Sequence, residues 1–244
     1  MSANFLTLPR ELRDKIYELC LLSEEPINPW IDFNPRQELT PGLLRTNKTV
    51  HTEASSLLYG QNRFDFATGT AEDVASFLET IGRNNAGSIR SIRVDFPNLR
   101  DLEPSKVCLE ETSDGMLANI QDSCVNLTTL TTFLDSTNAM EVKLEALDSP
   151  KTVAEALTLV HSRFKAISSL REIIIEVYED GPSDYIRREM ENHGWTFDKT
   201  RYVEDWGSGR HFSDFEDDYG YDDDDGDDDY DVDDDSDFWR RAGD

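Results

Sequence analysis

The feature that most constrains the fold is a short motif that occurs three times, each time between a predicted helix and a predicted strand. It reads Ser88-Ile89-x-x-Ile92-x-Val94, Asn126-Leu127-x-x-Leu130-x-Thr132 and Ser169-Leu170-x-x-Ile173-x-Ile175. An L-x-x-L-x-L pattern is typical of leucine-rich repeats, where one face of a parallel strand is buried under helices. The spacings, 130 − 92 = 38 and 173 − 130 = 43 residues, exceed the 20 to 29 residues of such repeats and leave room for full helices. We therefore predict an α/β (α+β) fold with an irregular, leucine-rich-repeat-like helix and strand domain.

Capping and periodicity place the other elements of this domain. Thr70 and Asp73 have capping-box spacing, Ser113 is the predicted N-cap of a second helix, and Ser149 with Pro150 begins the longest one. A last helix spans about 183–193, and a short strand follows it. The segment 97–112 is predicted to be a loop, with a possible strand near Val107. The strand at 173–175 is apolar throughout, so we expect it to be buried on both faces.

The first 60 residues predict two helices. Leu8, Leu12, Ile16 and Leu19, here called the leucine stripe, recur at helical spacing after Pro9, with Arg10, Arg13, Asp14 and Glu18 on the opposite face. The stripe must be buried against the chain itself, another protein, or both. The second helix is predicted from Thr40 as N-cap and Pro41 to Gly60, with Leu43, Leu44, Asn47, Val50, Ala54, Leu57 and Leu58 on its inner face. Alternating Phe64 and Phe66 then predict a strand. The proline-rich segment 23–42 is expected to be an ordered loop or short hairpin, with Trp30 in the core.

Three pieces of this N-terminal sequence together resemble the signature of fungal F-box-like proteins. They are L-P-x-E-x-R-x-x-I-Y from Leu8, L-L-R-x₇-E-A from Leu43, and Y-G-x-N-x-F from Tyr59. The resemblance implies a helical F-box-like module at 1–66 that is packed on the domain at 67–203. It also implies that Leu8, Pro9, Leu12 and Ile16 bind the Skp1-type adaptor of a cullin ubiquitin ligase, while the repeat surface holds a client protein. The alternative is that residues 5–66 form part of one core and bind no adaptor.

Negative charge is concentrated at the C-terminus. Residues 204–244 hold 19 acidic residues and three arginines, a net charge of −16, which leaves −11 of the total −27 for residues 1–203. We predict a disordered acidic tail at 204–244, because self-repulsion and low apolar content oppose its ordering. Three interpretations of the tail are open. It serves only to solvate the protein, it folds back over a basic patch, or it binds basic proteins through aromatic residues set among the carboxylates. Those aromatic residues are Phe215, Tyr219, Tyr221, Tyr230, Phe238 and Trp239.

No pattern in the sequence predicts catalysis. The histidines at 51, 161, 193 and 211 are scattered, and the three cysteines lack C-x-x-C spacing. We predict no enzyme, cofactor, metal site or direct nucleic-acid partner, and no membrane span. The cytoplasm or nucleus is the expected location. The leading hypothesis is a substrate-recognition subunit of a cullin ligase, and the alternative is a stand-alone scaffold or chaperone-like protein that binds basic partners through its acidic tail.

Overall fold

The computed structural model describes residues 5–31, 39–103, 106–147 and 149–200. The helices are α1 (Arg10–Leu21), α2 (Lys48–Gln61), α3 (Ala71–Ala86), α4 (Glu111–Ser123), α5 (Leu134–Glu145), α6 (Pro150–Lys165) and α7 (Asp184–Asn192), with 3₁₀ helices at Phe5–Thr7 and Pro41–Arg45. The strands are β1 (Arg63–Asp65), β2 (Ser91–Val94), β3 (Leu99–Asp101), β4 (Cys108–Leu109), β5 (Thr129–Thr132), β6 (Glu172–Tyr178) and β7 (Thr196–Thr200).

Five of the strands form a parallel sheet in the order β1-β2-β5-β6-β7, and the predicted mixed α/β class is confirmed. Ile92 pairs with Leu130, and Leu130 pairs with Ile173. These are the residues that superpose when the three copies of the motif are aligned, so the motif fixes the strand register. β1 is the first strand of the same sheet, and the buried apolar residues from Tyr17 to Trp195 form a single core cluster.

The two faces of the sheet differ in burial. The side chains of Ile92, Leu130, Ile173 and Ile175 are buried on one face, beneath the helices. On the other face, Thr131 and Glu176 are buried, at 2% and 9% exposed, and Ile174 is partly buried. The expectation that β6 would be buried on both faces is therefore confirmed only in part.

The predicted starts of two helices are corrected. Between Pro41 and Arg45 the chain forms a 3₁₀ helix, and α2 begins only after Asn47, whose side-chain oxygen accepts a hydrogen bond from Thr49 N at 2.8 Å. Asn47 is thus an exposed cap rather than an inner-face residue. Helix α4 begins at Glu111, and Ser113 lies inside it, where its hydroxyl accepts from Asn98 N at 3.0 Å.

One helix was not predicted, and a segment predicted to be mainly a loop contains two strands. Helix α5 follows β5 without a loop and buries polar Thr137 and Glu141 beside Met140 and Leu144, which hides its apolar periodicity. The segment 97–112 contains β3 and β4, which pair antiparallel with an irregular register. The other predicted helix starts are confirmed: Thr70 and Asp73 form the capping box, and Ser149 accepts from Thr152 N.

Residues 23–31 run along the outer side of β1. Ile27 forms an isolated parallel bridge with Phe64, so the described part of this segment is extended rather than a hairpin. Trp30 packs on Phe66 with ring centroids 5.7 Å apart, as its predicted core position requires.

Candidate protein-docking surface

Polar side chains, rather than the leucine stripe, hold α1 against α2. Arg13 makes a bidentate contact with Glu53, from Nε to Oε2 at 2.9 Å and from Nη2 to Oε1 at 2.6 Å. The hydroxyl of Tyr17 donates to the same carboxylate at 2.9 Å, and Arg10 approaches it at 3.1 Å. One carboxylate on α2 therefore receives three side chains from α1, which fixes the rotation of α1 about its own axis.

The electrostatics of Glu53 reflect these partners. Hydrogen bonds from the Arg13 guanidinium, opposed by partial burial, lower the pKa of Glu53 to about 2. Burial is the main cause that raises the pKa of the Tyr17 phenol. Glu53 is therefore ionised and Tyr17 protonated throughout the neutral range, so the contact keeps its charge pattern there.

A second joint closes the opposite end of the two helices. Asn62 is 2% exposed, and its amide nitrogen donates to the carbonyl of Leu21 at 2.7 Å and to that of Leu58 at 2.9 Å. Its side-chain oxygen accepts from Ser23 N at 2.9 Å. The last carbonyls of α1 and α2, which have no partner within their own helices, are thereby bonded to one side chain.

The rotation set by these joints turns the leucine stripe outward. Leu12 is 53% exposed and Leu19 75% exposed, while Leu8 and Ile16 are half-buried. The buried side of α1 is formed by Tyr17 and Leu21. Seven large apolar side chains are exposed among the described residues, and three of them, Leu6, Leu12 and Leu19, belong to this stretch. Such an apolar strip on a surface helix is a mark of a protein-docking site.

The face of α1 opposite the leucine stripe is polar, as expected, but part of it is buried. Arg13 lies on that face, and its side chain is only 13% exposed because it contacts Glu53 on α2. The heptad-like spacing of the leucines could not reveal this, because the anchor is a charged pair 40 residues apart in sequence. Arg10 and Asp14 do lie at the surface, where they pair with each other at 2.6 Å.

Four polar positions of the F-box-like signature have internal roles. Arg13 and Tyr17 come from its first piece, Glu53 from its second and Asn62 from its third, and all four make the contacts described above. Phe64, also from the third piece, is fully buried. Much of the signature therefore specifies how α1 packs on α2, whereas Pro9, Glu11 and Arg45 are exposed positions of the signature.

The predicted site residues fall into two groups. Leu8, Pro9, Leu12 and Ile16 are brought together at the start and outer side of α1; Pro9 is the N-cap rather than the first helical residue. The predicted tail site, comprising Phe215, Tyr219, Tyr221, Tyr230, Phe238 and Trp239, lies outside the described residues, as does the whole predicted tail at 204–244.

The second face of the sheet carries a network of charged side chains that are mostly buried. Arg93 on β2 bonds Asp65 on β1, reaches to 3.8 Å from Glu176 on β6, and lies over the ring of Phe133 at 5.0 Å. Burial is the main cause that raises the pKa of Glu176, although Arg93 lowers it. These contacts link side chains of β1, β2 and β6 with Phe133, which follows β5, so charged side chains brace this face of the sheet.

Two histidines that the sequence separates are in contact. The rings of His161 and His193 stack with centroids 4.6 Å apart, and the indole nitrogen of Trp195 donates to His161 Nδ1 at 3.1 Å. Burial is the main cause that lowers the pKa of His161. Within the described ranges no group of three or more His, Cys, Asp or Glu residues is arranged to hold a metal ion.

Comparison of the chain with protein-family models, with curated proteins and with solved structures finds no match. Of the described helices, none has both the length and the apolar character that crossing a bilayer requires.

Proposed function

We propose that this chain is a protein-interaction module and that its leucine stripe docks on a Skp1-type adaptor. The F-box-like resemblance implies this role for Leu8, Pro9, Leu12 and Ile16, and the exposure of Leu19 adds that residue to the proposed interface. The observation that carries the proposal is the outward rotation of α1, which leaves Leu12 and Leu19 more than half exposed. Full burial of a leucine side chain contributes about 1.5–3 kcal/mol relative to exposure. Two such residues on one rigid helix supply the apolar centre of an interface.

In this proposal the sheet domain is leucine-rich-repeat-like and carries the client protein. Its support is the sheet face around Arg93, whose side chain is 22% exposed and is braced by charged side chains from β1 and β6. The chain would then act as the substrate-recognition subunit of a cullin ubiquitin ligase. It would bridge adaptor and client without performing chemistry itself.

The test uses the full chain and a purified fungal Skp1-type adaptor, with binding measured by isothermal titration calorimetry. We expect Leu12→Asp with Leu19→Asp to weaken binding by at least tenfold without changing the circular dichroism spectrum. The matched control is Val125→Asp with Val142→Asp, which alters two valines that are 60% and 61% exposed elsewhere. The control should bind like the unmodified chain.

Two results would count against the proposal. Absence of adaptor binding by the unmodified chain would remove the ligase assignment and favour the stand-alone scaffold that uses the acidic tail. Equal loss of binding in the stripe variant and the valine control would mean that the interface lies elsewhere or is nonspecific.

A further inference from the structure

Cationic side chains lie at the edge of the sheet where the parallel strands begin. Arg90 and Arg171 directly precede β2 and β6, and Thr128 precedes β5 between them. Thr128 N donates to the carbonyl of Arg90 at 2.9 Å, and Arg171 N donates to that of Thr128 at 3.0 Å. The two arginines therefore flank one threonine in a single row, about 10 Å apart at their Cα atoms given the usual strand spacing.

The adjacent helix ends add two more cations. Arg83 lies in the last turn of α3 and Lys165 in the last turn of α6, seven and six residues before the arginines of the row. We call Arg83, Arg90, Lys165 and Arg171 the basic edge. All four are exposed, and none forms an ion pair with a carboxylate of the described residues.

Helix dipoles do not account for the whole basic edge. A cation in the last turn of a helix is stabilised by the partial negative charge there, which explains Arg83 and Lys165. Arg90 and Arg171 lie outside the helices. Two acidic residues belong to the same edge: Glu172, which accepts from the Thr129 hydroxyl at 3.4 Å, and exposed Asp122 in the last turn of α4. The four cations and these two carboxylates together carry a net charge of +2 in a body of net charge −11.

The acidic segment that could neutralise this edge belongs to the same chain. Residues 214–237 contain sixteen Asp and Glu residues and no Lys or Arg. The intervening residues 201–213 hold Arg201 and Arg210 against Glu204 and Asp205, so the connection is neutral. Thirteen residues with no net charge thus separate the acidic segment from the last strand.

The linker is long enough for this contact. Thirteen extended residues span up to ~43 Å. The linker must reach from the end of β7 to the start of β2. This path covers the length of β7, ~17 Å, and, at right angles to it, three strand spacings, ~14 Å, so the direct distance is ~22 Å. Because the acidic segment is tethered to the same chain, its effective concentration at the basic edge is in the millimolar range. A free polyanion does not reach this concentration there, because the body carries a net negative charge.

We propose that residues 214–237 dock on the basic edge of their own chain. Since the contact is made by exposed charges, it is weak per pair and is released by salt. A basic protein that binds the acidic segment must compete with the basic edge. The basic edge therefore raises the concentration at which such a partner binds the acidic segment.

The test is zero-length carbodiimide crosslinking of the full chain, which joins carboxylates to lysine amines. An equimolar mixture of ¹⁵N-labelled and unlabelled chains distinguishes contacts within one molecule from contacts between two. We expect Lys165 to link to residues 214–237 in pairs of the same label. Arg90→Glu with Arg171→Glu should reduce these links at least fivefold, and 0.5 M salt should do the same to the unmodified chain.

The matched control is Arg45→Glu with Lys48→Glu. It reverses two exposed cations at the N-terminal end of α2, and the length of α2, about 20 Å, separates them from the end of that helix that leads into β1. Its Lys165 links should be unchanged. Absence of Lys165 links in the unmodified chain, or equal losses in the two variants, would overturn the proposal. Mixed-label pairs would show that the acidic segment binds a second copy instead.

Discussion

Replacement of Asn62 by alanine should destabilise the whole chain, because this buried side chain joins the ends of two helices. The substitution removes its hydrogen bonds to Leu21 O, Leu58 O and Ser23 N. Each hydrogen bond contributes about 1 kcal/mol, and buried groups left without a partner cost more. We therefore expect Asn62→Ala to lower the free energy of unfolding by about 3 kcal/mol, a large part of the 5–15 kcal/mol typical of a domain.

Urea unfolding of the full chain, followed by tryptophan fluorescence and circular dichroism, measures this change. The matched control is Asn138→Ala, which alters an exposed asparagine within α5 and should be neutral or slightly stabilising. If Asn62→Ala loses less than about 1 kcal/mol, the bonds to the two helix ends are not the joint that we describe, because that is the contribution of a single hydrogen bond.

Asn62→Asp separates the role of the amide donor from that of the oxygen. An aspartate still accepts from Ser23 N, but it cannot donate to the carbonyls of Leu21 and Leu58 when ionised. It also sets a negative charge against two helix C-termini, which carry partial negative charge themselves. We expect this variant to be less stable than Asn62→Ala at pH 7, and the deficit to shrink as the pH falls and the carboxyl group becomes protonated.

Three further substitutions test other parts of the structure. Because the folded-state pKa of Glu53 is lowered to about 2, its stabilisation is present above the ordinary value of 4.5 and is lost as the pH falls towards 2. Glu53→Gln should therefore lower the melting temperature at pH 7 and have little effect near pH 2. Burial raises the pKa of Glu141 to about 7, so its ionisation opposes folding increasingly as the pH rises from 4.5 through 7. Glu141→Gln should accordingly raise the melting temperature at pH 8 and leave it unchanged at pH 4. A Cβ at Gly69 would lie 2.5 Å from the Trp30 ring, so Gly69→Ala should cost about 1–3 kcal/mol in urea unfolding, and Trp30→Leu in the same chain should recover part of the loss.

The strand framework could be predicted because its signal is local and repeated. The motif around Ile92, Leu130 and Ile173 places a buried residue at the same register in three strands, and side-chain alternation fixes which face is buried. Helix starts at Thr70 and Ser149 were predictable for a similar reason, since a cap and its partner lie three residues apart.

The missed features depend on polar residues that occupy buried positions. Helix α5 escaped because Thr137 and Glu141 occupy buried positions; Thr137 bonds the Thr132 hydroxyl at 2.9 Å. The orientation of α1 escaped because Arg13 is polar and its partner Glu53 lies on another helix. In both cases polar residues occupy buried positions, which the periodicity of apolar residues cannot show.

The same burial of polar residues limits what the F-box-like signature can say about a partner. Arg13, Glu53 and Asn62 are needed to pack α1 on α2, so the signature is expected in a chain of this fold whether or not it binds an adaptor. Leu12 and Leu19 contribute little to the internal packing, because more than half of each side chain is exposed. Substitution at these two positions should therefore change binding while leaving stability within about 0.5 kcal/mol. An effect on binding without an effect on stability is the property that separates a docking residue from a packing residue on this helix.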